Sequence, residues 1–232
     1  MKVFTTSLQD QTQEPTVVLL SGGLDSAANL ALAVGRRPVK LAVTIHYGQR
    51  AAAREIYAAR SLCDYYEVDH QVVEIPFLGA LGGSSLTDSQ VAMPALKTSE
   101  LDDPTITRAS AGSVWVPNRN GVLIEVAASV AERLGAGEVL VGFNREEAAT
   151  FPDNTLDYLK ALNGAFQYST QGRVAVGSIT VGLNKTEIAQ ELARLEKPFP
   201  WDLVWSCYFG EAKPCGGCES CRRLARARGA VL

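Results

Sequence analysis

Short apolar runs alternate with helical stretches rich in Ala, Leu and Arg from residue 16 onward, and this alternation restricts the fold more than any other feature of the chain. Thr16 to Leu20 is a β-branched run that stops at Ser21-Gly22-Gly23, after which a helical pattern reaches Val34. Val39 to Ile45 reads as a second strand, Ala51 to Tyr66 as a helix and Gln71 to Ile75 as a third strand. A helix over Val122 to Leu134 stops at Gly135 and Gly137, and Val139-Leu140-Val141 follows as a fourth strand. Thr155 to Tyr168 and Lys185 to Leu195 read as further helices with a strand over Arg173 to Thr180 between them, until Pro198 and Pro200 break the pattern. Buried strands separated by helices imply an α/β fold, a parallel twisted sheet with both faces covered. Two segments stand outside it: Met1 to Glu14 reads as a frayed terminus, and 77 to 112, rich in Gly, Ser, Thr and Pro, reads as a long lid-like connection.

Composition narrows the partners. At 232 residues the chain suits one α/β domain, expected over 1–200, with a small cysteine-bearing segment over 201–232. A formal net charge of −3 argues against a broad grip on nucleic acid and favours small-molecule partners. No window approaches the roughly 18 uncharged apolar residues of a membrane span, and Met1 to Glu14 lacks the apolar core of a secretory signal, so a cytoplasmic protein is expected. Of five cysteines, four crowd between Cys207 and Cys221, which suggests a metal site in a reducing compartment. Cys63, inside a helical stretch, reads as a buried structural thiol.

Ser21-Gly22-Gly23-Leu24-Asp25-Ser26 lies where a buried strand, ending at Leu20, gives way to a helix. Unpaired amides and the helix dipole converge there on an anion-sized site. Gly22 and Gly23 allow close approach to an oxyanion, and the Ser21 and Ser26 hydroxyls can donate to it. Asp25 suits Mg²⁺ beside a diphosphate, or a helix cap. No Lys-Ser or Lys-Thr follows at Walker A spacing, and Gly-x-Gly-x-x-Gly is absent. Cys207, Cys215, Cys218 and Cys221 suit a closed, structural Zn²⁺ site, with an iron–sulfur cluster as the competitor. The arginines that follow, Arg222, Arg223, Arg226 and Arg228, read as a solvated helical face. His46 and Asn144, at strand ends, should project where ligands of parallel sheets bind. Arg119 suits an anion held bidentately, and Lys185 sits at a helix start, where its charge opposes the dipole and hints at an anionic ligand.

The hexapeptide resembles the signature of the PP-loop family, whose members bind ATP and adenylate a carbonyl or carboxylate oxygen. Together with the cysteine cluster, His46-Tyr47-Gly48-Gln49, Val116-Pro117-Asn118-Arg119-Asn120 and Trp205-Ser206-Cys207-Tyr208 make nearly the whole chain similar to the 7-cyano-7-deazaguanine synthase family. The resemblance implies ATP with Mg²⁺ held by residues 20 to 26 with His46 and Gln49, and catalysis by Asp25, Ser26, Arg119 and Lys185. It places a deazaguanine substrate on Asn144, Glu147, Phe151 and Asp153, and Zn²⁺ on the four cysteines. The implied reaction converts 7-carboxy-7-deazaguanine and ammonia to the nitrile through an adenylate and an amide, in a homodimer that need not touch RNA. Glu147 stands where Asp is usual and Asn154 where Cys is common. Three other readings remain: a PP-loop ligase joining an adenylated carboxylate to another amine, a tRNA-thiolation enzyme, and a zinc-ribbon binding module without catalysis.

Overall fold

The structure is a computed structural model that describes residues 14–231. Its five strands, β1 (Thr16–Leu19), β2 (Val39–His46), β3 (His70–Glu74), β4 (Glu138–Leu140) and β5 (Ala175–Gly177), form one sheet in the order β3-β2-β1-β4-β5. All four pairings are parallel, as the alternation implied. The frayed terminus expected for Met1 to Glu14 lies, apart from Glu14, outside the described residues. The expected strand over Arg173 to Thr180 shortens to β5, and the helix over Lys185 to Leu195 ends at Leu192.

Successive residues of a strand face opposite sides, which builds two apolar layers. Val18, Ala42 and Leu140 pack with α1 (Leu24–Val34), α2 (Ala52–Tyr66), α8 (Lys185–Leu192) and α9 (Glu219–Gly229). Val17, Val43 and Val139 turn the other way, onto α5 (Arg119–Leu134) and α7 (Leu156–Ser169). The C-terminal segment contributes Val204 and Ala227 to the same cluster as Val18.

Residues 77 to 112, expected as a long lid-like connection, contain α3 (Phe77–Ala80) and most of α4 (Pro104–Val114). Leu78, Leu86, Leu96 and Leu101 are buried, so the segment is packed onto the body. The Asp103 carboxylate accepts from the Thr105 amide at 2.8 Å and the Ile106 amide at 3.2 Å, with Pro104 just inside the helix. Asp-Pro at a helix start is a cap signal that the loop-like composition masked. Similarly, α5 begins at Arg119, three residues before the expected start, after Asn118 turns the chain at φ 50°. Among the described residues no helix is long and apolar enough to cross a membrane.

The chain leaves β1 outward through β2 and β3, then returns to lay β4 against the opposite side of β1. The strand order reverses between β1 and β4, and the crevice beyond their carboxyl ends is the favoured ligand position in such sheets.

Candidate active site

The glycine turn occupies that crevice. Gly22 has φ +83°, and a Cβ there would lie 2.8 Å from the Glu55 carbonyl oxygen, so the turn settles on α2 only because that atom is missing. The Ser21 amide donates to Ser26 Oγ at 3.1 Å, and the two hydroxyl oxygens stand 3.0 Å apart. The Gly23 amide donates to Ser21 Oγ and the Leu24 amide to Ser206 Oγ, both at 3.3 Å. These bonds are long for N–H···O. Amides at the head of α1 are thus held loosely by hydroxyl oxygens, in the positions that oxygens of a bound anion would take. From the other side the chain leaving β4 presses in: a Cβ on Gly142 would lie 2.5 Å from the Ser26 nitrogen.

Asp25 does not cap α1, whose cap residue is Gly23. Its Oδ2 accepts instead from Lys185 Nζ at 2.9 Å, and the same ammonium donates to Glu147 Oε1 at 2.8 Å. The Lys185 side chain is 6% exposed. Its placement at the head of α8, unfavourable by the dipole alone, is balanced by these two carboxylates and by an Asn184–Glu187 capping box. Burial raises the Asp25 carboxyl, Lys185 pulls it down and Glu147 pushes it up again, leaving it at about 6. Burial alone would lower the Lys185 ammonium, but Asp25 and Glu147 outweigh it and raise it above the ordinary 10.5. Asp25 Oδ1 is buried with no hydrogen-bond partner among the described residues. An anionic oxygen left bare beside a phosphate turn fits a divalent cation such as Mg²⁺.

A cavity of about 250 Å³ opens here. Leu20, Ser21, Gly23, Leu24, Asp25 and Ser26 line it from the turn, joined by Gln49, Arg119, Glu147, Phe151 and Lys185. Gln49 shapes the wall: its side chain donates to the Ile45 carbonyl and to Glu55 Oε2 and accepts from the Tyr47 amide. Arg119 lies over the Tyr47 ring, and among the described residues it has no carboxylate within ion-pair distance. Phe151 presents a flat ring, parallel within 8° to that of Trp115. Four expected residues lie outside the lining. Gly22 is packed on α2, and His46 is partly exposed at the end of β2. Asn144 is fully buried and caps α6 (Arg145–Ala148) by accepting from the Glu147 amide at 3.0 Å, while Asp153 accepts from Asn154 Nδ2 at 3.2 Å. Asn144 and Asp153 therefore stand behind Glu147 and Asn154, which do line the cavity.

Several lining residues had been given no site role from the sequence: Glu55, Ser206, Tyr208, Glu219 and Arg223. The solvated arginine face is corrected at Arg223, which is buried. It donates to Glu146 at 2.6 Å, to Glu219 at 2.9 Å and to the Leu101 carbonyl at 2.8 Å. Arg226 bonds Asp102 and the same Glu146. The i, i+4 spacing of Glu219 and Arg223 was the available hint.

The sulfur atoms of Cys207, Cys215, Cys218 and Cys221 all lie within 4.8 Å of one another, with Cys215 and Cys221 at 3.9 Å. Tetrahedral zinc with Zn–S bonds of about 2.3 Å needs sulfurs about 3.8 Å apart. Amides of Phe209 and Cys215 donate to Cys207 Sγ, and that of Cys218 to Cys215 Sγ, as suits thiolate ligands. The donor set fits zinc with no coordination place left for a reacting water. Cys63 is buried elsewhere, its thiol pushed up to about 12 by burial and Asp64, and is inert.

Residues 15–231 match the family model described as queuosine biosynthesis protein QueC. The chain is 51% identical over 212 residues to a 7-cyano-7-deazaguanine synthase of Desulforamulus reducens, covering 91% of this chain and 92% of that protein. A protein of the same name from Desulforudis audaxviator is also 51% identical, covering 91% and 95%. One from Methanosarcina barkeri is 46% identical, covering 91% and 92%. Among solved structures, NMN synthetase from Francisella tularensis superposes with a TM-score of 0.45 at 13% identity, covering 95% of this chain and 87% of that one. With the model matched from β1 through α9, the chain belongs to the QueC family of queuosine biosynthesis proteins.

Proposed function

We propose that the protein is an ATP-dependent 7-cyano-7-deazaguanine synthase, the activity its relatives are named for. One observation carries the reading: a turn suited to phosphate and a flat ring, Phe151, suited to a planar base open into a single cavity at the sheet's switch point. The base rests on Phe151 with its carboxylate toward Arg119, the lining cation without a carboxylate of its own. Turn amides and the Ser21 and Ser26 hydroxyls hold the ATP phosphates, with Leu20, His46 and Gln49 shaping the nucleotide's surroundings. Mg²⁺, when bound on Asp25, supplies charge neutralisation at the phosphates. Lys185 places a fixed positive charge beside that carboxylate and stays protonated throughout the physiological range.

A carboxylate oxygen attacks the α-phosphorus and pyrophosphate leaves. Ammonia then attacks the acyl carbon, AMP leaves, the nitrogen releases one proton and an amide forms. A second ATP adenylates the amide oxygen with release of pyrophosphate, and loss of AMP and of both protons on the amide nitrogen gives the nitrile. No covalent protein intermediate is required, so alignment and electrostatic stabilisation supply the acceleration. Asn144 and Asp153 support the base site through Glu147 and Asn154, and the zinc is structural. The enzyme works in the cytoplasm as a homodimer. Conjugation to another amine and tRNA thiolation are less favoured, since the relatives share the nitrile-forming name across nine-tenths of the chain.

The test is incubation of purified protein with Mg·ATP, ammonium and 7-carboxy-7-deazaguanine, following AMP, pyrophosphate and the base by mass spectrometry. Nitrile formation that disappears in Asp25→Asn supports the proposal. Arrest at the amide moves the function to a ligase, and absence of ATP consumption refutes it.

A further inference from the structure

We propose that Ser206 contacts an ATP phosphate at the head of α1, and that metal bound by the neighbouring cysteines governs its position. The inference rests on the reading of the glycine turn as the ATP site. The Leu24 amide opens α1, yet its acceptor, Ser206 Oγ at 3.3 Å, comes from 182 residues further along the chain. A hydroxyl that accepts one bond keeps its own O–H to give. Because Ser206 also lines the cavity, a phosphate oxygen at the turn can receive that O–H alongside the α1 amides.

No regular element holds Ser206 in place, since it lies between Leu203 and Glu219 in irregular chain. Its position comes from its neighbours. The Trp205 amide donates to the Gly22 carbonyl at 2.9 Å, and the Trp205 indole N–H donates to the Cys207 carbonyl at 3.0 Å. The Arg54 guanidinium covers the Trp205 ring at 5.5 Å. The irregular stretch lies within one methyl's reach of Gly23: a Cβ built there would meet both Ser206 Oγ and the Trp205 carbonyl oxygen at 3.8 Å. Cys207 follows immediately, and metal ligation ties it to residues 215 to 221, which lead into α9. The metal centre therefore anchors one side of Ser206 and the glycine turn the other. Loss of the metal frees the Cys207 side and costs the turn its borrowed hydroxyl.

Equilibrium binding of Mg·ATP to the zinc-loaded full-length protein, read by calorimetry without base or ammonia, tests this. Ser206→Ala should bind ATP roughly tenfold more weakly, the scale of one hydrogen bond to a charged group. Adenosine, which has no phosphate, should lose less. Removing zinc with a chelator should weaken ATP binding by wild type by a similar factor but Ser206→Ala by little more, because both changes act through one hydroxyl. Trp205→Phe keeps an aromatic ring but drops the indole N–H bond to Cys207; it should show a several-fold loss and serves as the second variant should Ser206→Ala fold poorly. Unchanged ATP affinity in these variants, or an equal further loss on chelation with and without the Ser206 hydroxyl, overturns the proposal. A wild-type protein that binds no ATP overturns the nucleotide reading itself, and this inference with it.

Discussion

Lys185 serves two carboxylates at once, and the consequences of removing each partner differ. Replacing Lys185 with Met takes the ammonium partner from Asp25, whose side chain is 14% exposed, and from the more open Glu147, a change that should cost about 3 kcal/mol in urea unfolding. Asp25→Asn keeps the Lys185–Glu147 pair and should leave stability within about 1 kcal/mol, while reducing turnover at least a hundredfold. The pH response follows from the same groups. Asp25 has a folded pKa near 6, above its ordinary 3.8, so ionising it costs folding stability as pH rises between those values, and the cost is constant above. Lys185 has the opposite sense: its raised pKa contributes stability that is full below 10.5 and lost only as strongly alkaline pH titrates the ammonium. Mg·ATP binding should weaken as pH drops through about 6, where the Asp25 carboxylate takes up its proton, and calorimetry should find no such limb in Asp25→Asn. At this scale the hexapeptide and the cysteines were legible because their chemistry is local in sequence. The contacts of Ser206 and Arg223 were not, since one meets a turn 182 residues away and the other a carboxylate 77 residues away.

Elements were read best where burial repeats, as in β1, β2 and α2, whose ends fall within a residue of expectation. They were read worst where a cap sits inside polar chain. Asp103 is the clearest case, and Asp103→Ala should lower stability by about 1 kcal/mol, measurable as a shift of the urea midpoint. The meeting of β4 with α1 was invisible from spacing alone, because Gly142 looks like any glycine after a strand. Adding one methyl there collides with the Ser26 amide. Gly142→Ala should therefore cost about 1–3 kcal/mol by overpacking and weaken ATP binding more than it weakens folding elsewhere.

For the molecule as a whole, alternation was enough to predict a parallel sheet but not its order, which depends on where the chain turns back after β3. The C-terminal segment shares the main apolar cluster through Val204 and Ala227. Zinc chelation should accordingly lower the unfolding temperature of the entire protein in a single transition by calorimetry, with no early separate melting of the tail. The contact between the Trp205 amide and the Gly22 carbonyl also sets a schedule for biosynthesis. The phosphate turn leaves the ribosome some 180 residues ahead of the segment that braces it. Long-range closure of this kind slows folding and leaves early segments waiting for late ones. A nascent chain halted before the cysteines would carry all five strands of the sheet and an unfinished nucleotide turn, so competence to hold ATP arrives only once Trp205, Ser206 and the cysteine segment have emerged.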